Sequence, residues 1–363
     1  MLRIHATPAT KEHPMKSTRR HPRLALAAAA TVGAMVMTAC GGGGASDTVG
    51  AAGDAENAAA KTGTINLYAY AVPKVGFDKL IPAFNKTEAG KGVQFQQSYG
   101  ASGDQSRKVA AGATADFVNF SVEPDITRLV DAGLVAKDWN ANQYKGIPFG
   151  SVVTIVVRKG NPKGIKDWDD LLKPGIEVVT PNPFSSGSAK WNLLAPYAAK
   201  SDGGKDPEAG LAYIEKLVTG HVKVQPKSGR EATETFLQGT GDVLLSYENE
   251  ALFAERSGDP VEHVTPPTTF EIENPTAVLS GSKNLAKAKA FNDFLFTPDA
   301  QKLWAEAGFR PVDPAVAKEF AADFPAPAKL WTIDDLGGWK TIDGSLFKKD
   351  TGSIAVIYDK ATS

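Results

Sequence analysis

From residue 64 onward, the apolar positions switch repeatedly between a period of two and helical spacing. Thr64–Tyr70 alternates and predicts a first strand, and Phe77–Phe84 has the spacing of a helix. Val93–Gln96 predicts a second strand, Ala115–Ser121 a third, and Asp125–Ala132 a further helix. This order of strands and helices is typical of an α/β lobe with a mainly parallel sheet.

The pattern predicts a second lobe in the middle of the chain. Ser151–Val157 is rich in β-branched residues and predicts a central strand that carries the chain from one lobe to the other. Asp242–Tyr247 predicts the strand that returns it. We therefore expect lobe 1 to comprise residues 63–149 and 250–312, lobe 2 residues 150–249, and a tail, 313–363, packed on the outside of both.

Three predicted strand-to-helix junctions are rich in serine and glycine. They contain Ser102, the run 185–188, and the pair Ser228 and Gly229. A helix start offers unpaired N–H groups and the positive end of the helix dipole, which together suit a small anion. An ordinary N-cap serine explains a single junction equally well. Three junctions, with Tyr247 at a fourth strand end, indicate a ligand site at the carboxyl ends of the strands.

The beginning of the chain has the pattern of a bacterial lipoprotein signal. Basic residues from Lys16 to Arg23 precede an apolar run, Leu24–Val36, that is short for a membrane span. Small residues then lead to Cys40, the predicted lipid acceptor and the only cysteine. We predict a signal peptide at 1–39, starting at Met1 or Met15, and a Gly/Ala-rich tether at 40–62 that holds the domain outside the cytoplasm at the membrane.

Charge excludes some classes of partner. The whole chain carries a net charge of −1, and residues 1–39 contribute six basic residues and one acidic residue, so the remainder carries −6. An acidic exported domain is a poor candidate for binding nucleic acid. Any anion must therefore be bound through local dipoles and not through the overall field of the protein.

Signatures of enzymes are missing from the sequence. It has no paired Cys/His spacing for zinc, no G-x-S-x-G nucleophile turn and no phosphate-binding G-x-x-x-x-G-K-[ST] loop. We predict no catalytic residue, no metal and no cofactor. A secreted hydrolase that uses a Ser/Gly loop is left as the alternative from another class.

The most specific motif of the chain is T-P-N-P-F-S-S-G-S-A-K-W-N at 180–192, and four further stretches accompany it: Ser98–Gly103, Arg158–Pro162, Lys166–Trp168 and Tyr247–Ala251. Together these stretches resemble the sulfate- and thiosulfate-binding receptors of ABC importers. The resemblance covers about Thr64 to Pro311. It implies a two-lobed type II periplasmic-binding-protein fold, each lobe a mixed sheet flanked by helices, that closes on the anion. It also implies a membrane permease as partner, and we expect a monomer.

The resemblance also implies a set of ligand contacts. Ser102 donates through its hydroxyl and backbone, and the ring at the strand end, a tryptophan in the enterobacterial proteins, is here Tyr247. Arg230 either donates hydrogen bonds to the anion directly or, as the family suggests, lies behind the loop and stabilises its backbone donors. The remaining implied contacts are backbone donors at Ser186, Gly187, Ser188 and Gly229, with Asn182 and Asn249 in supporting positions.

Three positions depart from the family pattern. Tyr247 replaces a tryptophan, Ser188 replaces a glycine, and Ala71 stands where the family has the aspartate of Tyr-Asp-Pro. Sulfate is the first choice of ligand, and thiosulfate and molybdate stay open. Phosphate also stays open because it keeps a proton that a carboxylate such as Glu248 or Asp104 would accept.

Overall fold

The computed structural model describes residues 63–362, which form two β-sheets with helices packed on their faces. The predicted signal (1–39), Cys40 and the tether (40–62) lie outside the described residues. Within residues 63–362, no helix combines the length and the apolar character that a membrane span requires.

The strands of the described residues are short, as is common in α/β proteins. In chain order they are β1 (Thr64–Tyr70), β2 (Gln94–Gly100), β3 (Phe117–Asn119), β4 (Phe149–Arg158), β5 (Val178–Val179), β6 (Val222–Val224), β7 (Val243–Tyr247), β8 (Val261–Val264), β9 (Thr268–Glu273), β10 (Thr276–Val278), β11 (Arg310–Pro311) and β12 (Lys329–Trp331).

The α-helices lie between and after these strands. They are α1 (Lys74–Phe84), α2 (Ser102–Ala110), α3 (Glu123–Asp131), α4 (Gly187–Lys200), α5 (Pro207–Lys216), α6 (Gly229–Leu237), α7 (Glu248–Arg256), α8 (Leu285–Phe294), α9 (Pro298–Glu306), α10 (Pro314–Glu319), α11 (Gly338–Ile342) and α12 (Ser353–Thr362).

The smaller sheet has the strand order β10-β3-β1-β2. Strands β1, β2 and β3 are parallel, and β10 runs antiparallel to β3. In β1 the apolar side chains of Ile65, Leu67 and Ala69 are fully buried and alternate with half-buried neighbours. The strand thus buries its apolar face in the core, as its period of two predicts.

The larger sheet is built around β4. Its main strand order is β12-β9-β4-β7-β5-β6, and β8 and β11 also pair with β4. Strand β4 is buried from Ser151 to Val157, which matches the central strand that its β-branched residues predict.

The strands that follow residue 250 are divided between the two sheets. Residue 250 was the expected start of the return, yet β8 and β9 follow it and pair with β4 in the larger sheet. Strand β10 is the one that joins the smaller sheet, after Asn274 and Pro275. Pairing with β4 is a long-range contact that local periodicity does not reveal. The lobe boundaries stay a prediction, and sheet membership favours a return near residue 274.

The tail after residue 312 packs against several elements. Strand β12 pairs in parallel with β9 and extends the larger sheet. The ring of Trp339 lies edge-on to Trp191 of α4, with centroids 4.7 Å apart, and Asp334 forms an exposed ion pair with Lys145 at 3.3 Å. Because Lys145 precedes β4, the tail contacts residues on both sides of the crossing into the larger sheet.

Candidate anion-binding site

The three predicted junctions are all helix starts. Helix α2 begins at Ser102, α4 at Gly187 and α6 at Gly229, each directly after a strand or its loop. Tyr247 ends β7 and immediately precedes α7. Junction side chains with at most 4% exposure are Ser102, Ser186, Ser188, Ser228 and Tyr247.

The hydroxyl of Ser102 is already engaged within the protein. It donates to Oδ2 of Asp125 at 2.6 Å and accepts from the N–H of Ser121 at 2.9 Å. Arg128 holds the other oxygen of Asp125 at 2.8 Å. The hydroxyl proton therefore points at Asp125, and the backbone N–H is the group of Ser102 that suits a ligand. The family resemblance implies that both groups contact the ligand, and the role of the hydroxyl stays a prediction.

The loop before α4 distinguishes between the two interpretations of its serines. Ser186 occupies the N-cap position, but its side chain makes no capping hydrogen bond. Its backbone N–H donates to the carbonyl of Asn182 at 2.9 Å, and the side chain of Asn182 accepts from Phe184. The first-turn N–H groups at Gly187 and Ser188 have no acceptor within their own helix. An ordinary N-cap thus does not account for this junction.

The start of α6 packs directly on the start of α4. A Cβ on Gly229 would lie 3.0 Å from Oγ of Ser188 and 3.4 Å from the side chain of Val72. Unlike the other two junctions, this one is capped, because Oγ of Ser228 accepts from the N–H of Glu231 at 3.2 Å. Glycine at 229 lets the segment after β1, which includes Ala71, approach the two helix starts.

Arg230 is paired with a carboxylate. Its Nη2 donates to Oε1 of Glu250 at 2.7 Å, and its guanidinium lies 4.7 Å from the ring centre of Phe253. Thr233 donates to the other oxygen of Glu250 at 3.1 Å. Burial raises the pKa of Glu250, and the charge of Arg230 partly offsets this effect. Of the two roles considered for Arg230, this arrangement favours bracing.

Tyr247 contacts a residue that the sequence did not single out. Its Oη lies 2.7 Å from Oγ of Ser121, which follows β3. Burial raises the pKa of Tyr247, so the phenol keeps its proton at neutral pH. The only signal for Ser121 was a serine at the end of a predicted strand, without the glycine that marked the other junctions.

Ser121 is where the elements of the two sheets meet. Its carbonyl accepts from Nε1 of Trp191 in α4 at 2.7 Å and from the side chain of Asn274, between β9 and β10, at 2.9 Å. A Cβ on Gly187 would lie 2.7 Å from Cβ of Ser121, which is closer than real Cβ contacts allow. The start of α4 therefore touches the end of β3 with no space to spare.

The two carboxylates that could accept the proton of a bound phosphate are both paired with arginines. Glu248 is buried and accepts two hydrogen bonds from Arg310, at 2.7 and 2.8 Å. Asp104 pairs with Arg107 at 2.5 Å on the surface. Asn249, between Glu248 and Glu250, is fully buried, and its side-chain amide has no hydrogen-bond partner among the described residues. Donors predominate at the site.

A cavity of about 620 Å³ lies beside the start of α4. It is larger than a single small anion needs and touches Ser186 and Gly187 on one side. Its walls also carry charged side chains of both signs: Arg107, Asp125, Arg128, Lys190, Asp343, Lys348, Lys349, Asp350 and Asp359. In the part of the chain that the structure describes, no group of His, Cys, Asp or Glu side chains is arranged to hold a metal ion.

Comparison with known proteins identifies a family. The sequence profile described as bacterial extracellular solute-binding protein matches residues 65–310. The sulfate-binding protein of Synechococcus elongatus is 37% identical over 353 residues, covering 93% of this chain and 98% of its own. The thiosulfate-binding protein of Pseudomonas aeruginosa is 36% identical and covers 77% of this chain and 89% of its own.

A solved structure is also similar. The sulfate-binding protein SubI from Mycobacterium tuberculosis H37Rv matches with a TM-score of 0.78 at 67% identity, covering 78% of this chain and 99% of that one. Its likeness confirms the predicted fold class, two lobes with a mixed sheet flanked by helices. The chain therefore belongs to the sulfate- and thiosulfate-binding family of bacterial extracellular solute-binding proteins.

Proposed function

We propose that this protein is an extracytoplasmic receptor that binds sulfate and delivers it to the membrane permease of an ABC importer. One observation carries the proposal: the buried starts of α2, α4 and α6 lie beside one another and beside Tyr247, through the contacts of Gly103 with Ser185, of Gly229 with Ser188 and of Ser121 with Tyr247. The ligand contacts are the backbone N–H groups of Ser102, Gly187, Ser188 and Gly229 and the hydroxyl of Tyr247. The 67% identity to SubI, named as a sulfate-binding protein, supports this ligand.

Donors alone favour sulfate over phosphate. Sulfate carries no proton near neutral pH, so every oxygen can accept a hydrogen bond. Phosphate keeps a proton that needs an acceptor, and Glu248 and Asp104 are held by Arg310 and Arg107. A buried site that lacks an acceptor for this proton discriminates strongly against phosphate. Thiosulfate is the second candidate, because one relative, 36% identical, is named for it.

The receptor acts as a binding protein and not as an enzyme. The relatives are named for binding, and the buried serines have other roles: Ser102 donates to Asp125, and Ser121 bonds to Tyr247. A hydrolase would need an activated nucleophile in this position.

Attachment to the membrane completes the proposal. We expect Cys40 to carry the lipid and residues 40–62 to tether a monomeric receptor near its permease. Changing Cys40 to serine should leave the precursor unlipidated, and partition of cell extracts into a detergent phase tests this. Recovery of the Cys40→Ser protein in the detergent phase with the wild-type mature mass would exclude lipidation at this residue.

The direct test of the ligand is calorimetric titration of ligand-stripped protein. We expect heat of binding with sulfate, and an affinity for phosphate roughly a hundredfold weaker or more, because the two carboxylates that could accept the proton of phosphate, Glu248 and Asp104, are paired with arginines. Thiosulfate and molybdate titrations under the same buffer rank the remaining oxyanions. Equal affinity for phosphate and sulfate would contradict the donor-only site.

A further prediction concerns the contact between the start of α4 and the end of β3. Gly187→Ala places a Cβ 2.7 Å from Cβ of Ser121, so α4 and the end of β3 must move apart. Overpacking of this kind lowers the stability of the folded arrangement by about 1–3 kcal/mol. Because the start of α4 carries proposed ligand contacts, we expect sulfate binding to be about tenfold weaker or more. Gly281→Ala is the matched control, since its added Cβ meets nothing within 4 Å. Wild-type affinity in Gly187→Ala would show that this contact does not limit binding.

Another prediction concerns the dependence of sulfate affinity on pH. Neither N–H groups nor the neutral phenol of Tyr247 titrates between about pH 5.5 and 8.5, and sulfate stays a dianion, so affinity should be nearly flat. The two described histidines face elsewhere: His221 contacts the carbonyl of Ile176, and His263 contacts Glu255.

Glu250 is the group that this pH prediction tests most sharply. Burial raises its pKa, and protonation would remove a negative charge near the ligand. If Glu250 titrates within the range, affinity rises as the pH falls. A tenfold rise, about 1.4 kcal/mol, would contradict the flat profile. Loss of that rise in Glu250→Gln would assign it to this carboxylate.

A further inference from the structure

The hydroxyl of Tyr70 is buried without a hydrogen-bond partner. Tyr70 is the last residue of β1 and is 2% exposed, and its Oη has no partner among the described residues. Buried hydroxyls are nearly always satisfied, because leaving one unpaired loses the hydrogen bonds it had with water. A buried phenol without a partner among the described residues therefore indicates a missing hydrogen-bond acceptor.

The surroundings of Tyr70 are those of the candidate site. Burial raises the pKa of Tyr70, and the nearby Tyr247 and Glu250 raise it further. Tyr247 ends β7, and Glu250 lies in the first turn of α7. In the smaller sheet Tyr70 is paired with Gly100, two residues before Ser102. Tyr70 thus ends its strand between the starts of α2 and α7.

The chain after Tyr70 also reaches the helix starts of the larger sheet. The side chain of Val72 lies 3.4 Å from where a Cβ of Gly229 would be, next to Ser188. The only carboxylate among these neighbours, Glu250, is held by Arg230 and Thr233. The phenol keeps its proton, so Tyr70 offers a donor and needs an acceptor.

We propose that Tyr70 is a further ligand-contacting residue, whose O–H donates to an oxygen of the bound tetrahedral oxyanion beside Tyr247. This inference rests on the proposed function, and it adds a hydroxyl from the smaller sheet to donors that come mostly from the larger one. A donor from each sheet makes the bound anion bridge the two, so that binding and closure occur together. Ala71 stands where the family has an aspartate, but the hydroxyl of the neighbouring Tyr70 remains as a donor.

Two effects of Tyr70→Phe distinguish ligand contact from packing. The ligand-free variant should unfold at the wild-type temperature or slightly above it, because the hydroxyl that is removed has no partner. Its sulfate affinity, measured by calorimetry, should fall about tenfold or more, as expected when a charged acceptor loses a buried donor.

Tyr213→Phe is the matched control. Tyr213 is also a buried tyrosine, but it lies on helix α5, and its Oη donates to the carbonyl of Trp168 at 2.5 Å. Its removal should lower the unfolding temperature and leave sulfate affinity unchanged.

The outcomes separate cleanly. Unchanged sulfate affinity in Tyr70→Phe overturns the inference and leaves the proposed function standing. A lowered unfolding temperature of the ligand-free variant, with an affinity loss of the same size as its stability loss, assigns Tyr70 to packing and also overturns it. A wild-type protein that binds no sulfate removes the proposed function and the inference with it.

Discussion

A buried dianion must replace its water shell with donors that the protein has already oriented, and this constraint accounts for the arrangement of the site. Neutral donors at helix starts meet it at little cost, because the first N–H groups of a helix have no partner inside it. The starts of α2 and α4 lack side-chain caps, which leaves the N–H groups of Ser102, Gly187 and Ser188 for a ligand, whereas the N–H of Gly103 donates to the carbonyl of Ser185 at 3.1 Å. Of the three junctions, only the start of α6 has a side-chain cap, because Ser228 accepts from Glu231.

Ser121 connects this donor arrangement to the approach of the two sheets. Its four polar contacts reach Ser102, Trp191, Asn274 and Tyr247. Trp191 and Tyr247 belong to elements of the larger sheet and its helices, whereas Ser121 follows β3 of the smaller one. The residue that contacts Tyr247 is therefore also the residue against which the start of α4 packs. The proposed donors and the contact between elements of the two sheets thus depend on the same residue.

Local patterns predicted much of this molecule, and long-range contacts account for what they missed. The helix starts at Ser102, Gly187 and Gly229 follow from strand and helix periods and from small residues, all of which are local signals. The pairing of Ser102 with Asp125, the contacts of Ser121 and the placement of β8 and β9 beside β4 join residues far apart in the chain. Periodicity has no access to such partners.

The arginines around the site explain how an acidic protein can bind an anion without a strong positive field. Each has a carboxylate partner: Arg107 with Asp104, Arg128 with Asp125, Arg230 with Glu250 and Arg310 with Glu248. The pairs leave little net charge to attract an anion over a distance, so attraction depends on short-range N–H and O–H contacts. Such contacts hold a dianion only while water is excluded. If the two lobes separate, as the resemblance implies, we expect these contacts to weaken, so that opening alone would release the ligand to the permease.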